Sequence, residues 1–307
     1  GFFASAPMYS YTAARLAERT DSIVVAPSLS SNFFDPDAVW LGGSTLQRAV
    51  AGLFAGDRRA LTESASAAAG YAVTLPEKVV LVGHSAGGTL VTAAAGYMVD
   101  NGAIADLAGV VLLDGVEIAG SRAVSDALAK LRGVNDRPIY LMSSMRYFWN
   151  RDGDMADKLA LARPGRFTGV GLSGGLHIDY LQGGNPLIQF AEYLVAGFSK
   201  QQNIDAAGII SAGWINDLFA GTTSGVYGTP GQSIPVATPA GTATATVFPL
   251  GQPTPNLLWD LVNGFFNAIL NVAGVFAVFD PLTPAAHSQP LAQGSVEQHV
   301  APAATLR

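Results

Sequence analysis

The sequence contains no cysteine, which excludes disulfide bonds, thiolate nucleophiles and cysteine-ligated metals. Charge is also scarce: 13% of the 307 residues are charged, the net charge is −6, and no basic cluster occurs. A nucleic-acid partner therefore has no support. The histidines and carboxylates lack metal-ligand spacing, and the glycine-rich stretch GLSGGLH (171–177) precedes no P-loop lysine. We expect neither a metal nor a cofactor.

An uninterrupted membrane span is also lacking. The longest apolar stretch, 257–279, carries four polar residues at helical spacing, so that they form one stripe: Asp260, Asn263, Asn267 and Asn271. We interpret the stretch as an amphipathic helix that packs on the body of the protein. A membrane-surface contact or a lid is the alternative.

What the sequence does contain is an alternation of strand and helix signals through its first 200 residues. Strands are predicted at 22–29, 78–83, 107–115, 137–144 and 165–172, and helices at 9–19, 44–71 (interrupted near Gly56), 87–102, 123–133 and 186–198. Strands that are apolar throughout and alternate with helices predict a mostly parallel sheet covered on both faces, which is α/β architecture.

Three regions follow from this pattern. Residues 1–200 are predicted to form the α/β domain, and 201–280 a C-terminal extension with a hairpin at 232–250 and the amphipathic helix. Residues 281–307, rich in proline, alanine and glutamine, are predicted to be a disordered tail.

The stretch KVVLVGHSAGGTLV (78–91) places a serine between a buried strand and a helix of small residues. Gly83, Ser85 and Gly87 fit G-x-S-x-G, the nucleophile elbow, in which the serine occupies a strained turn between strand and helix. Glycines are needed on either side because strand and helix approach closely. The Ala86 amide at the helix N-terminus would then face an oxyanion.

A serine hydroxyl needs a base, and the sequence has four histidines. His84 is next to Ser85 and cannot easily turn back on it, while His287 and His299 lie in the predicted tail. His177 follows the last predicted strand, and carboxyl ends of strands face the site in open α/β sheets. We therefore predict His177 as the base.

The acid that orients the base is expected between Ser85 and His177 in the chain. Asp114 ends the strand GVVLLDG and is our first candidate. Asp152 or Asp154, beyond the next strand, are the alternatives. Asp179 is too close to the histidine in the chain to bend back to it.

The opening segment GFFASAPMYSYTAARLAER resembles the oxyanion loop of α/β hydrolases, in particular actinobacterial cutinase-like polyester hydrolases and lipases. The elbow and the stretch LLDGVE are similar to the chlorophyllase branch, in which the acid follows the strand after the elbow. The resemblance covers about residues 1–198. It implies the α/β-hydrolase fold, Asp114 as the acid, the Phe2 amide as second oxyanion donor beside Ala86, and an exported protein.

The sequence departs from this family in two respects. The strand and histidine that the family places before the oxyanion loop are expected upstream of Gly1. The acid that many members carry directly after the strand at 137–144 is replaced by Met145, Arg146 and Tyr147.

We expect a serine hydrolase that cleaves small or lipid-like carboxylic esters through an acyl-enzyme. An apolar cleft is predicted from eight aromatic residues: Phe2, Phe3, Phe33, Phe34, Trp40, Tyr147, Phe148 and Trp149. Two alternatives remain, an acyltransferase with the same residues and a non-catalytic cell-envelope or binding protein on this scaffold.

Overall fold

The computed structural model describes residues 4–251 and 257–282. A sheet of six strands runs through this part of the chain in the spatial order β1-β2-β3-β4-β6-β5. The strands are β1 (Val79–His84), β2 (Leu107–Leu113), β3 (Ile139–Ser143), β4 (Gly169–Leu172), β5 (Ser233–Thr238) and β6 (Gly241–Val247). β1 to β4 are parallel, whereas β6 is antiparallel to both β4 and β5.

Helices cover both faces of the sheet, and others lie beside it. The α-helices of the described residues are α1 (Ser10–Thr20), α2 (Ser44–Gly52), α3 (Arg59–Ala69), α4 (Gly87–Asp100), α5 (Ala123–Lys130), α6 (Asp154–Ala162), α7 (Pro186–Ala196), α8 (Gln201–Ala220) and α9 (Leu257–Phe276). Alternate residues of β2 point to opposite faces of the sheet. Val110 and Leu112 pack with α2, α4, α5 and α6 on one face, and Val111 and Leu113 pack with α1 and α8 on the other. Both faces of the central strands are therefore buried, as the apolar strand pattern predicts.

The predicted hairpin is present as β5 and β6, and it extends the main sheet beyond β4. The region boundary predicted at residue 200 falls between α7 and α8, and α8 packs directly on β1, β2 and β3. Helix α8 was not predicted, although Ile204, Ile210 and Trp214 are buried on one of its faces.

The strand predicted at 22–29 is wrong. These residues pair with no strand in the described part of the chain, and Ile23, Val24 and Val25 are between 40% and 50% exposed. β-branched residues favour extended backbone with or without a partner, so the composition alone does not place a segment in the sheet. Among the strands of the described residues, β1 therefore lies at the edge on this side.

The amphipathic helix predicted within 257–279 is α9. Within the described ranges no helix has the length and apolar character needed to cross a membrane. The tail predicted at 281–307 lies almost entirely outside the described residues, which end at residue 282.

Candidate active site

Ser85 occupies the tight bend between β1 and α4. Its φ of 56° lies in the left-handed region, which a residue with a side chain adopts only where its surroundings hold it. Three backbone bonds do so: the Ser85 N–H donates to Leu113 O (3.1 Å), and Ser85 O accepts from Gly88 N (2.8 Å) and Val116 N (3.0 Å). The residue remains partly exposed.

Glycine at position 83 is required by the close approach of strand and helix. A Cβ there would lie 2.5 Å from Gly87 O and 2.6 Å from a Val91 methyl group. Ala86 follows the serine as the N-cap of α4 and is buried. Its N–H belongs to the helix N-terminus, where backbone donors lack intrahelical partners and favour negative charge.

Asp114 follows β2 and is fully buried, which an ionised carboxylate tolerates only with several donors. Oδ1 accepts from Ser143 Oγ (2.9 Å), Ser144 N (2.8 Å) and Asn150 Nδ2 (3.2 Å), and Oδ2 accepts from Ser144 Oγ (2.6 Å). Burial alone would raise the pKa of Asp114, but the bonds from His177 and Ser144 lower it below its usual range. The group is therefore a carboxylate at neutral pH.

His177 begins a 3₁₀ turn (His177–Tyr180) after β4, and its ring is buried beside Asp114. Nδ1 lies 2.6 Å from Asp114 Oδ2, which requires the ring to carry a proton on Nδ1. The backbone N–H of His177 donates to the Tyr147 hydroxyl. With Nδ1 directed at the carboxylate, Nε2 is the nitrogen that can accept a proton.

The strand register brings the predicted residues to one end of the sheet. His84 is paired with Leu113, so Ser85 and Asp114 follow at matched positions of neighbouring strands. The His177 ring bonds to Asp114 and lies 4.7 Å, between centroids, from the ring of His84, the residue before Ser85. Ser85, Asp114 and His177 thus follow the carboxyl ends of three parallel strands, β1, β2 and β4, and β3 lies between the last two.

The alternative acids have other partners. Asp154 Oδ2 lies 2.9 Å from Lys158 Nζ and 3.6 Å from Arg151 Nε, in α6 and the turn before it. Asp152 is exposed, and its carbonyl accepts a bond from Arg146. Neither carboxylate bonds to His177 in the described residues.

Sequence reasoning missed the residues that bind Asp114 and His177. Ser143, Ser144 and Asn150 surround the Asp114 carboxylate, and Tyr147 binds the His177 backbone. All four come from SSMRYFWN (143–150), the segment that leaves β3. Polar residues directly after an apolar strand were the available signal, since this strand lies next to the one that carries Asp114.

The aromatic residues predicted to form one cleft lie in several separate places, as far as they are described. Trp149 lies parallel to the His177 ring at 6.0 Å between centroids, and Phe148 stacks on Phe266 of α9 at 4.6 Å. Trp40 is fully buried, whereas Phe34 is 61% exposed. Phe2, predicted as an oxyanion donor, and Phe3 lie outside the described residues, as do His287 and His299.

Comparison with known families supports the fold that carries these residues. A family described as having the alpha/beta hydrolase fold matches residues 57–161, which include the elbow, Asp114 and the segment after β3. The chain has the α/β-hydrolase fold. No curated protein and no solved structure matches it.

Two helices beside the site of this hydrolase fold carry exposed apolar residues. α9 contacts the turn at 148–153, and α7 contacts the turn that begins with His177. Their most exposed large apolar side chains are Leu257, Leu261, Phe265, Val275 and Phe276 in α9 and Leu187, Phe190 and Leu194 in α7. We call these residues the apolar rim.

The described residues contain no group of side chains that could hold a metal. Among residues 4–251 and 257–282, no three histidine or acidic side chains converge as a metal site would require.

Proposed function

We propose that this chain is a serine hydrolase of carboxylic esters, with Ser85 as nucleophile, His177 as base and Asp114 as the acid. The observation that carries the proposal is the buried 2.6 Å bond between Asp114 and His177, at the end of the sheet where Ser85 occupies a strained bend. Strain at such a position is expected where a side chain must be presented to a substrate.

The proposed reaction has two stages. His177 Nε2 takes the proton of the Ser85 hydroxyl while Oγ bonds to the ester carbonyl carbon, and the carbonyl oxygen becomes an oxyanion. The imidazolium then gives that proton to the leaving alcohol as its C–O bond breaks. In the second stage water attacks the carbonyl carbon of the acyl-enzyme while His177 Nε2 takes its proton. The imidazolium then returns that proton to Ser85 Oγ as the acyl C–O bond breaks, which releases the carboxylic acid and restores Ser85.

Asp114 and Ala86 assist without forming covalent bonds. The Asp114 carboxylate keeps the His177 proton on Nδ1 and stabilises the imidazolium. The Ala86 N–H, at the N-terminus of α4, is proposed to donate to the oxyanion, as in oxyanion holes generally. Phe2 as the second donor stays a prediction.

An apolar acyl group is the substrate that the surroundings favour. Trp149 lies beside the base, and the apolar rim offers a surface for lipid or for another aggregated ester. Asp260 is the one charged residue within α9. We therefore propose contact with neutral or zwitterionic lipid surfaces through α9, because anionic surfaces attract basic helices.

Labelling with a fluorophosphonate tests the nucleophile. The probe should modify the wild type at one serine, and an activated ester such as a p-nitrophenyl ester should give a burst of alcohol. Ser85→Ala should abolish both, whereas Ser64→Ala, an exposed serine of α3, should change neither. A wild type that does not react, as expected of a non-catalytic scaffold, would refute the proposal, and so would a Ser85→Ala variant that reacts equally well.

A further inference from the structure

His84, the residue before the proposed nucleophile, has its side chain buried against the loop of the proposed base. Its Nε2 lies 2.8 Å from the backbone carbonyl oxygen of His177. Its Nδ1 lies 2.8 Å from the hydroxyl of Tyr9, which is the N-cap of α1. Three separate segments of the chain therefore meet at one imidazole.

The position of each proton in this chain of bonds follows from the chemistry of the groups. A carbonyl oxygen only accepts, so Nε2 of His84 must carry a hydrogen. Burial lowers the pKa of His84 well below its usual value, so the ring holds a single proton. Nδ1 is then an acceptor, and the Tyr9 hydroxyl donates to it. Burial raises the pKa of Tyr9, which keeps this hydroxyl protonated.

The result is that residue 177 is held at three points. Its N–H donates to Tyr147, its carbonyl accepts from His84, and its ring donates from Nδ1 to Asp114. These bonds fix the backbone on both sides of the side chain as well as one ring nitrogen. The direction of Nε2, the atom that must meet the Ser85 hydroxyl, is thereby determined.

We propose that His84 is a positioning residue for His177, and that Tyr9 holds the His84 ring in place by donating to its Nδ1. The proposal rests on the proposed function, because it assigns His84 a part in aligning the base. It also gives a reason for a histidine in the G-x-S-x-G turn, since the same short segment then places the nucleophile and aligns the base.

The neutrality of His84 matters for the same reason. During the proposed reaction His177 becomes an imidazolium whose ring centre is 4.7 Å from that of His84. A second positive charge at this distance would oppose its formation. A lysine or arginine that donated to the same carbonyl would hold the loop but impair the base.

A Leu/Gln pair of variants separates positioning from packing. His84→Leu replaces the imidazole with an apolar side chain of similar volume and so removes the donor. The side-chain amide of His84→Gln, in contrast, can still donate to the His177 carbonyl. We expect His84→Leu to lower kcat by about 10- to 100-fold, the range for a lost positioning hydrogen bond, with KM nearly unchanged. His84→Gln should recover most of that loss.

Two-bond ¹H–¹⁵N spectra at neutral pH report the tautomer independently of activity. His84 of the wild type should be protonated at Nε2 and unprotonated at Nδ1. Tyr9→Phe should leave Nε2 protonated, because the His177 carbonyl still requires a donor, and should lower kcat about threefold to tenfold, a smaller loss than that of His84→Leu. Tyr71→Phe, at an exposed tyrosine, is the matched control and should alter neither readout.

The outcomes separate this proposal from the proposed function. A kcat for His84→Leu within about threefold of the wild type, or no recovery in His84→Gln, would overturn the positioning role. An Nδ1–H tautomer of His84 in the folded wild type would overturn both roles, even if the leucine variant does not fold, because Nε2 could then not donate to the His177 carbonyl and Nδ1 could not accept from Tyr9. A kcat for Tyr9→Phe equal to that of the wild type would overturn the role of Tyr9 alone. Failure of the wild type to react with a fluorophosphonate would instead refute the proposed function, while leaving the tautomer measurement valid.

Discussion

Asp114→Asn tests the proposed acid most directly, because the surroundings of this side chain determine how an amide must lie. Oδ1 receives three donors, among them the backbone N–H of Ser144, which cannot reverse its role. The asparagine oxygen must therefore occupy the Oδ1 position, and its NH₂ group must occupy the Oδ2 position facing His177 and the Ser144 hydroxyl. The hydroxyl can rotate and accept.

The His177 imidazole must change its tautomer in this variant. To accept from the new NH₂ group, His177 must carry its proton on Nε2 and leave Nδ1 bare. Nε2–H cannot take a proton from Ser85, so the variant holds the base in the wrong tautomer. We expect kcat to fall by about 10³- to 10⁴-fold, equivalent to about 4 to 5.5 kcal/mol of activation free energy, as known for this exchange in serine triads.

The assay is the steady-state hydrolysis of a soluble p-nitrophenyl ester, together with the two-bond ¹H–¹⁵N spectrum of His177. Asp152→Asn, at an exposed aspartate, is the matched control and should remain within about twofold of the wild type, as is usual for surface substitutions. Retention by Asp114→Asn of more than about a tenth of kcat, or an unchanged His177 tautomer, would refute the reasoning. A comparable loss in Asp152→Asn would transfer the role to that residue.

Two further predictions concern stability and the apolar rim. Burial raises the pKa of Asp179 to about 6, so the folded protein binds a proton there that the unfolded chain has released, and stability is lost as pH rises from about 4 to 6. Relative to the wild type, Asp179→Asn should therefore gain up to about 3 kcal/mol of unfolding free energy between pH 4 and 7 in urea titrations; a constant difference would contradict this. Leu261→Ser and Phe265→Ser should each weaken adsorption to phosphatidylcholine vesicles by about 1 to 2 kcal/mol without altering soluble-ester turnover. Val134→Ser, at the opposite end of the sheet, is the control, and equal weakening in it would argue against contact through α9.

The strand-helix alternation and the elbow could be predicted from the sequence because both depend on local patterns. An apolar run followed by Gly83 and Ser85 predicts a strand and a tight turn from a few consecutive residues. The prediction does not depend on residues outside that segment. Asp114 could be proposed for the same reason, since it directly ends a strand. The family match supports the hydrolase fold, and the role of each site residue stays a prediction.

Other features depend on contacts between distant segments, which no local pattern records. The stretch at 22–29 has a strand composition, but strand formation requires a partner, and none is present in the described residues. The bond between His84 and the His177 carbonyl spans 93 residues. Histidine in a glycine-rich turn has no local signature of such a role, and neither has Tyr9 at the start of a helix.

The pairing of β6 with the edge of β4 bears on when, during synthesis, the chain can become active. The backbone of Ser173, four residues before His177, is tied to Thr244 by a 2.9 Å bond, and α8 covers the same side of the sheet. A nascent chain that has emerged only as far as α7 holds every proposed catalytic side chain, yet its histidine loop still lacks this support. Activity should therefore first arise on the ribosome only after the second strand of the hairpin has been synthesised.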